Sequence, residues 1–195
     1  VTDMSNAFMG KTTFDENISG WDVSNVTVMS HMFQGASAFN QPIGNWNTSS
    51  VTNMQSVFKN ATSFDQDLSD WNTSSVTVMA IMFYGASSFD QSLSAWDVSN
   101  VTSMGSMFRE ASAFNQPIDD WNTSSVTNMD SMFESAVSFN KPIGNWNVSA
   151  VSNLRDMFRN ASAFNQVLAS WDTSSVIDMQ YLFRGATSFN QPIGN

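Results

Sequence analysis

Cysteine is absent from the 195 residues, and histidine occurs once, as His31. Disulfide staples, thiolate or histidine-rich metal sites and Cys/His nucleophilic centres are thereby excluded. Charge is scarce as well: charged residues are 12% of the chain, 7 basic against 17 acidic, for a formal net charge of −10. A nucleic-acid backbone or an anionic membrane surface needs basic patches, so neither is expected as a partner. No apolar run approaches the ~18 residues that span a bilayer, which argues against direct membrane insertion. No secretory leader is visible. The chain opens on Val1 rather than Met, which reads as an excerpt of a longer array.

Aromatic and sulfur side chains are plentiful instead. There are 16 Phe, 13 Met and 7 Trp against 2 Tyr. With so few charges, solubility falls to Asn, Ser, Thr and Gln.

The chain is a tandem repeat of 25 residues without insertion or deletion, and this fixes its organisation. Blocks start at Val1, Val26, Val51, Val76, Val101, Val126, Val151 and Val176, and the eighth stops at Asn195. Residues 1–195 therefore read as a single repeat domain. Counting each block from its Val, position 8 is always Phe (Phe8 to Phe183), position 14 is always Phe (Phe14 to Phe189), and position 21 is Trp in all seven complete blocks (Trp21 to Trp171).

Apolar residues at positions 1, 4, 7, 8 and 11 fit a stripe of period 3.6. Thr at position 2, as in Thr27 and Thr52, suits an N-cap. Position 10 is mostly Gly or Asn (Gly10, Gly35, Asn60, Gly85, Asn160, Gly185; Glu110 and Ser135 depart), as at a helix end. These signals predict a helix of about two turns over positions 3 to 9, too short to stand alone. Alternation at positions 18, 21 and 23 predicts a short strand over 20 to 23, approached through Pro42, Pro117, Pro142 or Pro192 at position 17. No coil can hide two Phe, a Trp and its Met alone, so neighbours must stack into Phe and Trp ladders. Strand spacing predicts a rise of roughly 4.8 Å per coil.

The run Met-Phe-x-x-Ala-Ser-x-Phe-Asn-Gln-Pro-Ile-Gly-Asn-Trp, seen at Met32 to Trp46 and continuing to Thr52, resembles the BspA-type leucine-rich-repeat surface proteins. More narrowly, it resembles a bacterial surface-protein repeat of roughly 25 residues associated with lipoproteins. The resemblance covers the whole chain. Ile43-x-x-Trp46-x-Thr48 stands where that family has L-x-x-L-x-L, with Trp, Phe and Met packing in place of leucine. It implies a right-handed α/β solenoid, with short parallel strands on one face and short helices on the other. It also implies an extracellular or cell-surface location and contact with host or matrix, and it carries over no catalytic residue.

Candidate chemistry is confined to polar columns. His31 occupies the variable position 6 and reads as solvated. The Asp119-Asp120 pair lies in a polar turn on a surface without a pocket, unlike a glycosidase pair. Position 22 (Asn47, Asn72, Asp97, Asn122, Asn147, Asp172) and position 20 (Asn45, Asp70, Asp120, Asn145) would form a two-column strip of oxygens on the sheet face. Such a strip suits recognition of sugar hydroxyls, or weak calcium binding at Asp97 and Asp120, since polyols and hard cations both take oxygen ligands. The competing reading is that these side chains solvate the face and satisfy turns. The Asn/Asp column at position 15 reads as an internal ladder bonding the backbone, and the Ser at position 24 as a turn hydroxyl. Position 9 gathers Lys59, Arg109, Arg159 and Arg184 around Tyr84, a cationic outer edge. Asn-x-Ser/Thr sequons such as Asn25-Val26-Thr27 follow from the repeat.

These observations predict a non-enzymatic, cofactor-free repeat protein outside the cell or on its surface. Its expected role is adhesion or recognition of a surface or matrix protein or a glycan. The alternative is a structural subunit that self-associates end to end into a fibre, since neither terminal block looks like a polar cap.

Overall fold

The computed structural model describes residues 1–193; the close of the eighth block, at Gly194 and Asn195, lies outside them. Successive blocks pair in one unbroken register. Parallel bridges join Asp3 to Val28, Val28 to Asn53, and so on through Asn153 to Asp178, always 25 residues apart. Each block is one coil resting on the next.

The backbone corrects the expected α/β solenoid. Among the described residues there is no helix, and strand pairing is limited to the single bridge residue at position 3 of each coil. The helix expected over positions 3 to 9 from their apolar spacing is not formed: positions 5 to 10 are consecutive turns. Their amides alternate in destination. In the fourth coil, Met82, Tyr84 and Ala86 donate backward three residues, to the carbonyls of Met79, Ile81 and Phe83. The intervening amides of Met79, Ile81, Phe83 and Gly85 donate across to Ser103, Gly105, Met107 and Arg109 of the next coil. An α-helix would send all of them back four residues.

The switch is conformational. Position 6 takes a left-handed φ between 52° and 63° in every coil, whether occupied by Asn6, His31, Ser56, Ile81, Ser106, Ser131, Asp156 or Tyr181. Position 10 does the same, including at Glu110 and Ser135. Both are third residues of a turn, where type II geometry needs positive φ. Position 10 was read correctly as left-handed, but it closes a turn and not a helix. Thr27 and Thr52 cap no helix either: each hydroxyl donates to the carbonyl of the preceding Thr at position 2, 3.2 Å away.

The strand expected over positions 20 to 23 is absent for a different reason. Positions 20 and 22 are exposed and positions 21 and 23 buried through the interior coils, so the alternation is real. No backbone ladder joins coils there, however; side chains cross the gap. Each indole from Trp46 to Trp171 donates to the position-18 carbonyl of the preceding coil at 2.9–3.3 Å. Buried Thr48, Thr73 and Thr123 donate forward to the next coil at 2.9–3.0 Å. Ser50, Ser75 and Ser125 at position 25 donate backward. Gly44 admits close approach on this side, where a Cβ would collide with the Asp67 carbonyl oxygen.

The core is an aromatic column pair. Within a coil, the Phe rings at positions 8 and 14 stack face to face, as Phe108 and Phe114 do at 4.0 Å. Between coils, rings separate by 5.3–5.8 Å along the first column and 5.7–6.2 Å along the second. Atoms in face contact lie ~3.5–4.0 Å apart, so the close stack is the pair within each coil, and the near-parallel rings of neighbouring coils have their centroids farther apart than that. The twelve Phe of coils two to seven are fully buried, each worth roughly 1.5–3 kcal/mol of apolar burial. Met and Val fill around them, as at Met79, Met82, Met104 and Met107.

Candidate interaction face

The two polar columns lie where their alternation places them. Asn45, Asp70, Asp120 and Asn145 at position 20 are exposed, as are Asn47, Asn72, Asp97, Asn122, Asn147 and Asp172 at position 22. They flank the buried Trp edge on a surface made of turns and extended backbone, not of a sheet.

The columns differ in what their oxygens do. At position 22 the side-chain Oδ1 accepts the amide two residues on: Ser49 at Asn47, Ser74 at Asn72, Ser99 at Asp97, Ser124 at Asn122, Ser149 at Asn147 and Ser174 at Asp172, at 2.9–3.2 Å. At Asn47, Asn72 and Asn147 the serine hydroxyl donates to the same oxygen at 2.7 Å. The Ser at position 24 thus serves a side-chain oxygen as well as the turn. These are Asx turns, the local competition that makes Asn and Asp turn formers. The hydroxyl and amide of Ser99 hold the Asp97 carboxyl below its usual range, as Ser174 does for Asp172. At position 20, Asn45 donates its Nδ2 to the Ser19 carbonyl, whereas the Asp70, Asp120 and Asn145 side chains point to solvent unengaged.

Coils one to three add a shallow polar hollow of about 410 Å³. Asn45, Asp70, Gln66, Asp67, Ser69 and Gly44 line it. Here the strip becomes concave. Sequence reasoning missed Asp67 and Ser69. Their signal was position 17, where Asp67 accepts the Ser69 amide at 2.8 Å and Asn17 accepts that of Ser19, an Asx turn standing where four other coils have Pro. A second hollow of about 420 Å³, lined by Leu168, Trp171, Leu182, Phe183 and Ile193, is apolar.

The calcium reading gains nothing from this placement. Asp97 and Asp120 lie on adjacent coils, and among the described residues no three acidic or histidine side chains converge on a common point. Calcium takes six to eight oxygens.

Two other columns are structural. At position 15, each side-chain Oδ1 from Asp15 to Asn165 accepts the amide of its counterpart one coil later at 2.8–3.0 Å, the internal ladder read from the sequence. His31 is half-buried, with Nδ1 2.8 Å from Gln34 Oε1. The position-9 edge is more ordered than a solvated row of cations. Lys59 and Arg109 sandwich the Tyr84 ring at 5.3 and 5.4 Å. Arg109 and Arg159 flank the buried Glu134 at 3.3 and 3.6 Å. Arg155 and Arg184 sandwich Tyr181.

The chain matches, over residues 1–96 and 82–195, the family described as "Mycoplasma protein of unknown function, DUF285". It belongs to that family. The two overlapping matches run through all eight blocks, so membership rests on the repeat itself, and the family's description assigns no activity. Comparison with curated proteins returns no match.

Proposed function

We propose that this chain is a recognition module, kin to the BspA-type surface repeats. On this reading it binds a surface or matrix protein or a glycan through the polar strip at positions 20 and 22, outside the cell or on its surface. It performs no chemistry of its own. One observation carries the reading: all ten Asn and Asp side chains of the strip are exposed in strict coil register, on a backbone fixed by turns and inter-coil bonds. A backbone already held in place loses little entropy on binding, and at position 22 the Asx turns hold the side chains as well, which favours affinity from modest contacts. The amides and carboxylates offer donors and acceptors suited to hydroxyl-rich or peptide partners, and the hollow beside Asn45 and Asp70 gives one concave contact.

The test separates position 20 from position 22. Asp70→Ala, Asp120→Ala and Asn145→Ala combined remove side chains with no turn role. Against immobilised glycans and extracellular-matrix proteins, the parent chain should bind saturably. The triple variant should lose at least about tenfold in affinity, roughly 1.4 kcal/mol, at an unchanged melting temperature. Absence of saturable binding across both panels, or equal binding by the variant, would sink the reading.

A further inference from the structure

We infer that the position-9 column is a strap that ties coils three to eight together and leaves coils one and two, with the polar hollow beside them, to open first. The strap uses side chains that the proposed recognition function leaves idle. It does not rest on that function, and its test needs no ligand.

Position 9 runs Met9, Gln34, Lys59, Tyr84, Arg109, Glu134, Arg159 and Arg184. From Lys59 onward each coil holds the next through a charge. The Tyr84 ring of coil four lies between Lys59 of coil three at 5.3 Å and Arg109 of coil five at 5.4 Å, within the range of a cation over a ring. Arg109 Nη1 then reaches Glu134 Oε2 of coil six at 3.3 Å. The other oxygen of Glu134, Oε1, meets Arg159 Nη1 of coil seven at 3.6 Å. Arg155 of coil seven continues the line to the Tyr181 ring of coil eight at 5.8 Å. Five successive coil junctions therefore carry such a contact. Among the described residues, the junctions of coil one with two and of coil two with three carry none. Met9 is exposed there, and Gln34 bonds within its own coil to His31.

The middle of the strap differs from a row of solvated pairs. Glu134 is buried, whereas the side chains of Arg109 and Arg159 are 35% and 36% exposed. Fully exposed pairs contribute little, but removing one partner of a buried charge leaves the other uncompensated. The junctions on either side of coil six share this one carboxylate, so neither opens without parting it from an arginine. In a stack whose coils touch only their neighbours, stability is approximately a sum of coil and junction contributions. Phe stacking and indole bonds recur along the stack, whereas the position-9 contacts begin at coil three.

The hollow straddles the two junctions that the strap does not reach. Ser19 comes from coil one, Asn45 from coil two, and Asp67 and Asp70 from coil three. Opening of the first two coils therefore changes the shape of the hollow while the strapped coils keep theirs. Low local stability of this kind is what lets a surface adjust.

Native-state hydrogen exchange tests the inference. The amides of Phe33 and Phe158 are matched probes. Both follow Met, both belong to fully buried residues at position 8, and each lies one coil in from an end of the eight. Each donates to the next coil at 2.9 Å, to Val57 and to Leu182. Phe33 should exchange at least about tenfold faster than Phe158. The Trp71 indole, bonded across the junction of coils two and three, should likewise exchange faster than that of Trp146, bonded across coils five and six.

Two variants separate the strap from general stability. Glu134→Gln keeps the shape and removes the charge; it should speed Phe158 at least about tenfold and leave Phe33 unchanged. Gln34→Glu places a carboxylate one coil before Lys59. It should slow Phe33 by roughly two- to fivefold, the range of an exposed pair, a gain that loss of packing cannot produce. Equal exchange at Phe33 and Phe158 in the parent chain would overturn the inference. So would equal acceleration of both probes, or of neither, by Glu134→Gln, or a Phe33 rate untouched by Gln34→Glu.

Discussion

The indole Nε1 of Trp96 donates to the carbonyl oxygen of Leu68 across 3.0 Å, reaching back one coil where no backbone amide can. Both groups are buried. Trp96→Phe keeps most of the apolar volume and removes one of two donors to that carbonyl, which still accepts the Trp71 amide at 3.1 Å, so it should destabilise the chain by about 0.5–1.5 kcal/mol. Trp96→Ala should cost more, about 3–5 kcal/mol, by adding a cavity. Denaturant unfolding of both variants orders the two effects. Equal losses would mean that packing alone, without the hydrogen bond, holds this side of the stack.

The Phe columns give a graded prediction. Phe108 is fully buried between Phe83 and Phe133, with Phe114 stacked on its face. Phe108→Ala should lose about 3–5 kcal/mol. Phe8, in the first coil, is only partly buried, so Phe8→Ala should lose clearly less. Calorimetric melts of the pair test whether the core is a column whose interior rungs matter most.

Burial was legible in the sequence and the backbone was not. The invariant Phe and Trp, the Met at positions 4 and 7 and the alternation around Trp all face inward as their spacing implies. That same spacing misled about the helix. Turns closed by bonds three residues back also bring positions 4, 7, 8 and 11 to one side, so a helical period of burial arises without a helix. The decisive residue is position 6, whose left-handed φ carries no glycine signal: Asn, His, Ser, Ile, Asp and Tyr all occupy it. The strand failed because Trp, Thr and Ser side chains supply the bonds a ladder would have made. The exposed columns were legible as columns, but their division of labour was not. Asn and Asp read alike at positions 20 and 22, and only the Ser two residues after position 22 marks the Asx turn. The position-9 cations were visible as well, whereas Glu134 and Asp156 beneath them lie at the same variable positions and gave no pattern.

Position 6 supplies its own test. Ile81 is β-branched and holds φ at 63°, a conformation that costs an L-residue of this kind roughly 1–2 kcal/mol. Ile81→Asn, which restores the residue type of the first coil at this position, should stabilise the chain by about 1 kcal/mol. A rise in melting temperature is the expected result. A fall would show that contacts of the half-buried Ile81 side chain outweigh the strain.

The Asx turns set the acid limit of stability. The carboxyls of Asp97, Asp22 and Asp172 are held below the usual range, first by the neighbouring serine hydroxyl and then by its amide. A carboxyl whose folded pKa is depressed binds its proton more readily in the unfolded chain. Its stabilisation is therefore present above the unfolded pKa, about 3.9, and is lost as pH falls through the lower folded value. The melting temperature should vary little with these groups from neutral pH down to about pH 5, then decline below about pH 4. Asp97→Asn keeps an oxygen for the Ser99 amide, as Asn47 does for Ser49, and removes the proton-binding group. Its acid limb should be shallower than that of the parent, and a triple replacement at Asp22, Asp97 and Asp172 shallower still. Melting curves between pH 2 and 7 read this directly, about one pH unit apart at each step. An acid limb of unchanged slope in the triple variant would assign the loss to other carboxyls held below their usual range by a serine two residues on, such as Asp3 and Asp67.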